Sequence, residues 1–335
     1  MIPRTHQAAY PQSWQNELKS LITCPRALFE ALELPIEALP KALIGDTTFK
    51  TRVTPSFLAR MEKGNLNDPL LRQVLPWEDE ALSIEGFSDD PLAEQQHNPI
   101  KGLIHKYKSR VLFIATGQCA INCRYCFRRH FDYQANSPSR QEWLEAINYV
   151  QEHPQINEVI LSGGDPLVMS DSQLDWLITE LECIPHLTRI RIHSRIPIVL
   201  PSRMTDRLLA RLNQSRLQCI LVIHANHPNE LDSHVRAALL EAKGAGITLL
   251  NQSVLLRGIN DTNETLSELS EKLFDAGTLP YYLHLMDKVR GAQHFDIDKD
   301  QAIALHNSLK ASLPGFLVPK LVQEIPGEPN KTWVG

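Results

Sequence analysis

From about residue 110 onward, short apolar runs rich in β-branched residues alternate with amphipathic stretches of helical period. The strand candidates are RVLFIAT, EVILSG, RIRIHS, QCILVIHA, ITLLNQSVLL, YYLHLM and FLVPKLV. Between them, RQEWLEAINYVQEH, SQLDWLITELECI, DRLLARLNQ, HVRAALLEAKGAG and ETLSELSEKLFDAG repeat apolar residues at three- and four-residue spacing, as helices with one buried face do. Ser139 and Asp171 stand where helix caps belong, and Gly244 and Gly277 stand where helices should stop. Strand–helix units of this length predict parallel strands with right-handed crossovers, hence an α/β fold whose sheet curls into an open or closed barrel. Polar and Gly-rich residues gather just after the strands, where such a barrel builds its active site.

The first part of the chain has a different texture. Residues 1 to about 95 are rich in Pro, Leu, Glu and Lys, with helical spacing in ELKSLI and RALFEALEL, and a turn-rich stretch, GFSDDPLAEQQHNP, leads onward. The predicted division is a helical N-terminal region over 1–95, a barrel over 96–315 and a C-terminal segment over 316–335. With 43% hydrophobic residues in 335, the chain can bury a large core. A net charge of -5 gives no general attraction to nucleic acid or to an anionic membrane. No apolar run approaches the roughly 20 residues a bilayer span needs. The start, MIPRTHQAAYPQSWQNEL, lacks the apolar stretch of a signal peptide, so a cytoplasmic location is expected. In that reducing compartment the six cysteines (24, 119, 123, 126, 183 and 219) predict metal binding or chemistry rather than a disulfide framework.

Three of them lie within eight residues, in ATGQCAINCRYCFRRHF, directly after the first barrel strand. The spacing is Cys119-x3-Cys123-x2-Cys126. Three thiolates on one tight loop can hold three irons of a cubane cluster, leaving a fourth iron open to a cofactor or substrate. A closed zinc site would need a fourth ligand, for which His130 is the nearby candidate. Three inert buried thiols are the blander alternative, opposed by the polar neighbours Asn122, Arg124, Arg128 and Arg129. Farther on, EVILS is followed by Gly163, Gly164, Asp165 and Pro166. Paired glycines let a backbone approach a ligand closely, although alone they also fit an ordinary strand-to-helix turn.

The cysteine spacing, with Tyr125 just before the last cysteine, resembles the radical S-adenosylmethionine superfamily. That resemblance implies a partial (β/α)6-type barrel and a [4Fe-4S] cluster on Cys119, Cys123 and Cys126. The open iron would chelate the methionyl group of S-adenosylmethionine, and an external one-electron reductant would drive its cleavage to an adenosyl radical. Gly163, Gly164 and Asp165 match the superfamily's glycine–glycine–acid motif, with Asp165 taking the methionyl ammonium directly or through a neighbouring carbonyl. The segments HKYKSRVLFIATGQCAINCRYCFRRHF, LSGGDPL, HSRIPIVLPSR, HANHPNE, LLNQSVLLRGINDT and PYYLHLMDKV narrow the likeness to the lysine 2,3-aminomutase family over roughly residues 95 to 335. The stretch SFLARMEKGNLNDPLLRQVLPWEDE resembles the family's shorter branch, which serves (R)-β-lysylation of elongation factor P.

Family membership would assign further roles. Lys331, in PGEPNKTW, matches the lysine that carries pyridoxal phosphate, whose amine can exchange with a substrate amine. Without the resemblance it would read as a solvated lysine. Residues 327–330 replace a run of glycines found in longer relatives, so the loop is expected to be stiffer. Arg110 matches the arginine toward the cofactor phosphate, with Lys106 a second basic position nearby. Arg128 matches the arginine that grips the substrate α-carboxylate. Asp287 matches an acid for the distal ammonium of lysine, and Glu324 stands where the longer relatives have a second acid, an Asp. His224 and Gln252 match positions around S-adenosylmethionine. The implied reaction removes a hydrogen from Cβ of free L-lysine and moves the amino group from Cα to Cβ. The expected product is (R)-β-lysine, which a partner ligase would attach to elongation factor P. A homo-oligomer is compatible with the family. An aminomutase for another substrate is the alternative, with Asp287 and Glu324 disfavouring glutamate; a non-catalytic zinc module is the other.

Overall fold

A computed structural model describes residues 13–39, 49–132 and 138–335. The leader reading rests largely on residues 1–12, outside the described residues. Nine strands form one sheet in chain order: β1 (Leu103–Tyr107), β2 (Arg110–Thr116), β3 (Glu158–Gly163), β4 (Arg189–Ser194), β5 (Gln218–Ile223), β6 (Thr248–Val254), β7 (Leu279–His284), β8 (Lys320–Gln323) and β9 (Thr332–Trp333). Strands β2 to β8 are parallel, while β1 and β9 pair antiparallel at the two ends of the sheet. The strands alternate as a pleat dictates. Leu112, Ile160, Arg191, Ile220, Gln252 and Tyr282 face a common interior cavity. Their neighbours Val159, Ile190, Leu221 and Leu249 pack outward in the hydrophobic core. The result is the expected partial barrel of six strand–helix units, finished by a seventh parallel strand.

Helices α1 (Trp14–Lys19), α2 (Pro25–Ala31), α3 (Pro55–Leu58) and α4 (Pro69–Arg72) precede the sheet. The barrel is coated by α5 (Arg140–Glu152), α6 (Asp171–Glu182), α7 (Ile196–Val199), α8 (Asp206–Asn213), α9 (Ser233–Gly244), α10 (Asn263–Asp275) and α11 (Lys299–Ser312). Ser139 caps α5 in a capping box with Glu142. At α6 the cap is Ser170, with Asp171 as the first helical residue, because the serine hydroxyl accepts from the Gln173 N–H. Gly244 ends α9, and Gly277 follows α10 in the left-handed region at φ +76°.

Among the described residues the N-terminal region is helical only in short turns. Three of the four helices described there begin at a proline, a position where the missing N–H is not needed. Asp68 fixes the start of α4 by accepting from the N–H groups of Leu70 and Leu71 at 2.9 and 2.8 Å. Phe29, Phe57, Leu70 and Leu75 are fully buried in the same core as Phe113, Leu161 and Ile192 of the barrel. The sequence boundary near residue 95 is therefore a change of local pattern inside one continuous core. Among the described residues no helix is long and apolar enough to cross a membrane.

Candidate active site

A cavity of about 730 Å³ runs inside the barrel, large enough for a cofactor and a substrate together. Its wall includes every residue that the family resemblance assigned to the cluster, the cofactors or the substrate. Cys119, Cys123, Cys126 and Arg128 belong to the loop after β2; Gly163, Gly164 and Asp165 close β3; His224 and Gln252 come from β5 and β6. Arg110, Lys106, Asp287, Glu324 and Lys331 complete the wall. Cys119 is buried enough that its thiol lies well above its ordinary pKa, and burial lifts Cys126 to about 11. The other thiols of the trio push in the same direction. Thiols at Cys119 and Cys126 that resist ionising here suit a site completed by cations, which make ligand sulfurs thiolates.

The loop that carries them is bolted down from two sides. Gly164 donates to Thr116 O at 2.6 Å, and Asp165 donates to Gln118 O at 2.7 Å. A Cβ on Gly164 would fall 2.8 Å from the backbone N and C of Gln118, and Gly163 sits at φ +108°. The paired glycines thus allow close approach to the chain just before Cys119. From the other side, Arg124 and Arg129 both pair with the buried Glu80, and the Asn122 N–H donates to Arg52 O at 3.0 Å. Asp165 uses both oxygens on protein. One accepts from Ser194 Oγ at 2.7 Å and Leu167 N at 3.1 Å; the other accepts from the N–H groups of Arg195 and Ile196 at 2.7 and 3.1 Å. That fills the four acceptor positions of a carboxylate, so it joins the ends of β3 and β4.

His130 turns outward, its Nε2 3.0 Å from Arg290 O. Among the described residues no three His, Cys, Asp or Glu side chains converge closely enough to hold a single metal ion. A closed zinc site therefore does not fit the loop. A cubane, which spreads its ligands over three irons, does not require that convergence.

Elsewhere in the cavity the polar groups form two sets. Gln252 Nε2 lies 3.0 Å from His224 Nε2, and burial followed by the Arg195 charge lowers His224 to about 3, so the imidazole is neutral and can accept from the amide. His193 Nε2, His284 Nε2 and Arg191 Nε are buried without a hydrogen-bond partner. Orphaned polar atoms around a cavity are what a polar cofactor would satisfy. In the second set, Lys331 Nζ donates to Glu324 at 2.5 Å and the Tyr107 hydroxyl donates to the other Glu324 oxygen at 2.6 Å. Lys106 Nζ is 3.9 Å from Glu324, and Arg110 stacks 3.9 Å from the centre of the Tyr107 ring. Burial raises Asp287 to about 7 against the pull of Lys331, with Glu324 and Glu94 adding to the rise. Arg290 pairs with Asp89, leaving Asp287 to the cavity. Lys331 is kept in place by the strand after it: Thr332 and Trp333 pair with Gln323 and Val322, and Val334 is buried.

Several side chains here had no role in the sequence reading. Arg128 grips Glu94 with two hydrogen bonds of 2.7 Å and reaches Ser162 Oγ at 3.2 Å. Glu94 sits in a turn-rich stretch where nothing in the local pattern marks a buried acid. His193 and His284 were visible only as strand residues, Tyr107 only as part of HKYKSR and Arg195 only as part of HSRIP.

Strands feeding a central cavity, with three cysteines at its mouth and a half-buried lysine in its wall, define a radical S-adenosylmethionine enzyme. The family profile described as the radical SAM superfamily matches residues 113–269. The chain is 51% identical to the L-lysine 2,3-aminomutase of Escherichia coli strain K12, covering 96% of this chain and 94% of that one. It is 47% identical to the L-lysine 2,3-aminomutase of Haemophilus influenzae over 99% of this chain and 98% of that one. Against the enzyme of the same name from Clostridium subterminale it is 37% identical, covering 85% of this chain and 69% of that one. The chain belongs to the lysine 2,3-aminomutase family. It is accordingly an isomerase whose cofactors are a [4Fe-4S] cluster, S-adenosylmethionine and pyridoxal phosphate.

Proposed function

We propose that this enzyme converts free L-lysine into (R)-β-lysine, for attachment to elongation factor P by a partner ligase. The observation that carries the reading is the single cavity that holds the cysteine trio, Arg128 and the Glu324–Lys331 pair with Asp287. Cys119, Cys123 and Cys126 hold the cluster, and Lys331 holds pyridoxal phosphate, with Arg110 and Lys106 toward its phosphate. Bound together, the cluster and S-adenosylmethionine supply the radical that removes the Cβ hydrogen, and pyridoxal phosphate supplies the π-system across which the amino group moves.

The chain itself contributes position. Arg128 presents a planar fork suited to an α-carboxylate, which takes the place of Glu94. Asp287 and Glu324 receive the distal ammonium. Fixing both ends of a flexible substrate holds Cβ in line with the radical source, the contribution that positioning makes to rate. Gln252 and His224 hold the nucleoside. Asp165 keeps the glycine turn in place and leaves the methionyl ammonium to the neighbouring carbonyls. The described residues of the N-terminal region serve as the wall behind the cysteine loop and residues 316–335 as the lysine-bearing flap. An external one-electron donor and a cytoplasmic location belong to the same proposal.

The test is anaerobic turnover of the reconstituted enzyme with L-lysine, followed by chiral analysis. The expected product is (R)-β-lysine, with the absorbance of lysine-bound cofactor lost in Lys331→Ala. Faster turnover of another amino acid, or of lysine already joined to elongation factor P, would replace this substrate assignment.

A further inference from the structure

Arg195 lies immediately after β4, in a turn held by Asp165, and only 5% of its side chain is exposed. Its guanidinium is fixed at three points. Nη1 donates to Cys123 Sγ at 2.7 Å. Nη2 donates to Gln73 Oε1 at 2.6 Å and to Glu230 Oε2 at 3.0 Å. Gln73 is itself held, since its Nε2 donates to the other oxygen of Glu230 at 3.0 Å and its carbonyl accepts from Arg124 N at 2.8 Å. The rings of Phe57 and Tyr125 flank the guanidinium at 5.3 and 5.7 Å. Three distant parts of the chain thus converge on one buried cation aimed at one sulfur: α4, the turn after β4 and the segment after β5.

We infer that Arg195 is a positioning residue for the iron–sulfur cluster, keeping a charge-assisted N–H···S hydrogen bond on the Cys123 sulfur that raises the cluster's reduction potential, with Gln73 and Glu230 setting its direction. The inference rests on the reading of Cys119, Cys123 and Cys126 as cluster ligands. An N–H donated to a ligand sulfur withdraws electron density from the thiolate. It therefore stabilises the reduced, more negative cluster over the oxidised one. Water is scarce around this group, so the electrostatic effect is stronger than at a surface. The planar fork is needed because one side chain must meet a sulfur and two oxygens in fixed directions, which an ammonium on a flexible stem does not reproduce. The consequence falls on the electron-uptake step, since the external reductant must populate the reduced cluster before any radical forms.

The experiment is an EPR-monitored redox titration of the anaerobically reconstituted full-length enzyme, comparing wild type with Arg195→Met and Arg195→Lys, with iron and sulfide measured in each. The Met variant is expected to retain wild-type iron with a more negative midpoint potential, and the Lys variant to shift less in the same direction. An unchanged midpoint in iron-replete Arg195→Met overturns the inference. Pulsed EPR of the reduced cluster after labelling arginine with ¹⁵N provides a test that does not depend on the Met variant holding its cluster. A ¹⁵N coupling present in wild type and lost in Arg195→Lys supports the inference; equal signals in the two overturn it. A wild-type chain that takes up no [4Fe-4S] cluster would overturn the reading of the site itself, and this inference with it.

Discussion

Asp287 illustrates how much a single buried carboxyl can decide. Its ordinary pKa near 4 is lifted to about 7 by burial, so at pH 6 it is mostly protonated before an ammonium binds. An ammonium prefers the ionised acid, and binding below pH 7 must first expel the proton. The KM for lysine is therefore expected to rise by up to about tenfold per pH unit below 7 and to level off above it, with little change in kcat. Asp287→Asn should flatten that profile and raise KM on the order of 100-fold, the scale of one charge-assisted contact. Steady-state kinetics from pH 5.5 to 8.5 check both. Glu94 gives the opposite sign. Because it fills the Arg128 fork in the ligand-free protein, Glu94→Gln should lower KM for lysine several-fold by removing an internal competitor. A raised KM would mean that Glu94 holds Arg128 in its productive position instead.

At the scale of elements, the turn after β3 and the cysteine loop act as one piece. Gly164→Ala would drive a Cβ into the backbone of Gln118, and neither side can give without moving Cys119. The expected outcome is a folded protein with reduced iron uptake, read by circular dichroism and iron analysis. Glu80→Ala would leave two buried arginines, Arg124 and Arg129, without their shared carboxylate. Unfolding experiments should show a loss of about 3 kcal/mol or more, typical of an uncompensated buried charge. The seven parallel strands were legible in the sequence because each pairs an outward apolar row with a turn signal. Among the elements that were not, three show why. In β1, LIHKY mixes polar residues into a strand that pairs by a tight antiparallel turn. The two residues of β9 are too short to show a period. Helix α11 buries only Ala302, His306 and Leu309, a face with too little apolar character to stand out.

Across the whole molecule, the N-terminal region and the barrel share one core, and Gln73 and Glu80 reach from the former to the cysteine loop. Removing residues 13–82 should therefore abolish soluble expression of the barrel, rather than release it as an independent domain; expression of the truncated chain checks this. The cysteine trio stood out by residue type and spacing, whereas Lys331 was singled out only through the likeness of its segment to the lysine 2,3-aminomutase family. The buried groups around them (Glu94 on Arg128, and Gln73 and Glu230 on Arg195) were not legible, since each comes from a distant segment and meets its partner only when the chain closes. The central claim is that three thiolates leave one iron open to S-adenosylmethionine. The most direct measurement is EPR of the reduced, anaerobically reconstituted protein before and after S-adenosylmethionine is added, with metal analysis. About four irons per chain and a cluster signal that changes on addition are expected. Zinc in place of iron, or a cluster signal indifferent to S-adenosylmethionine, would contradict that claim.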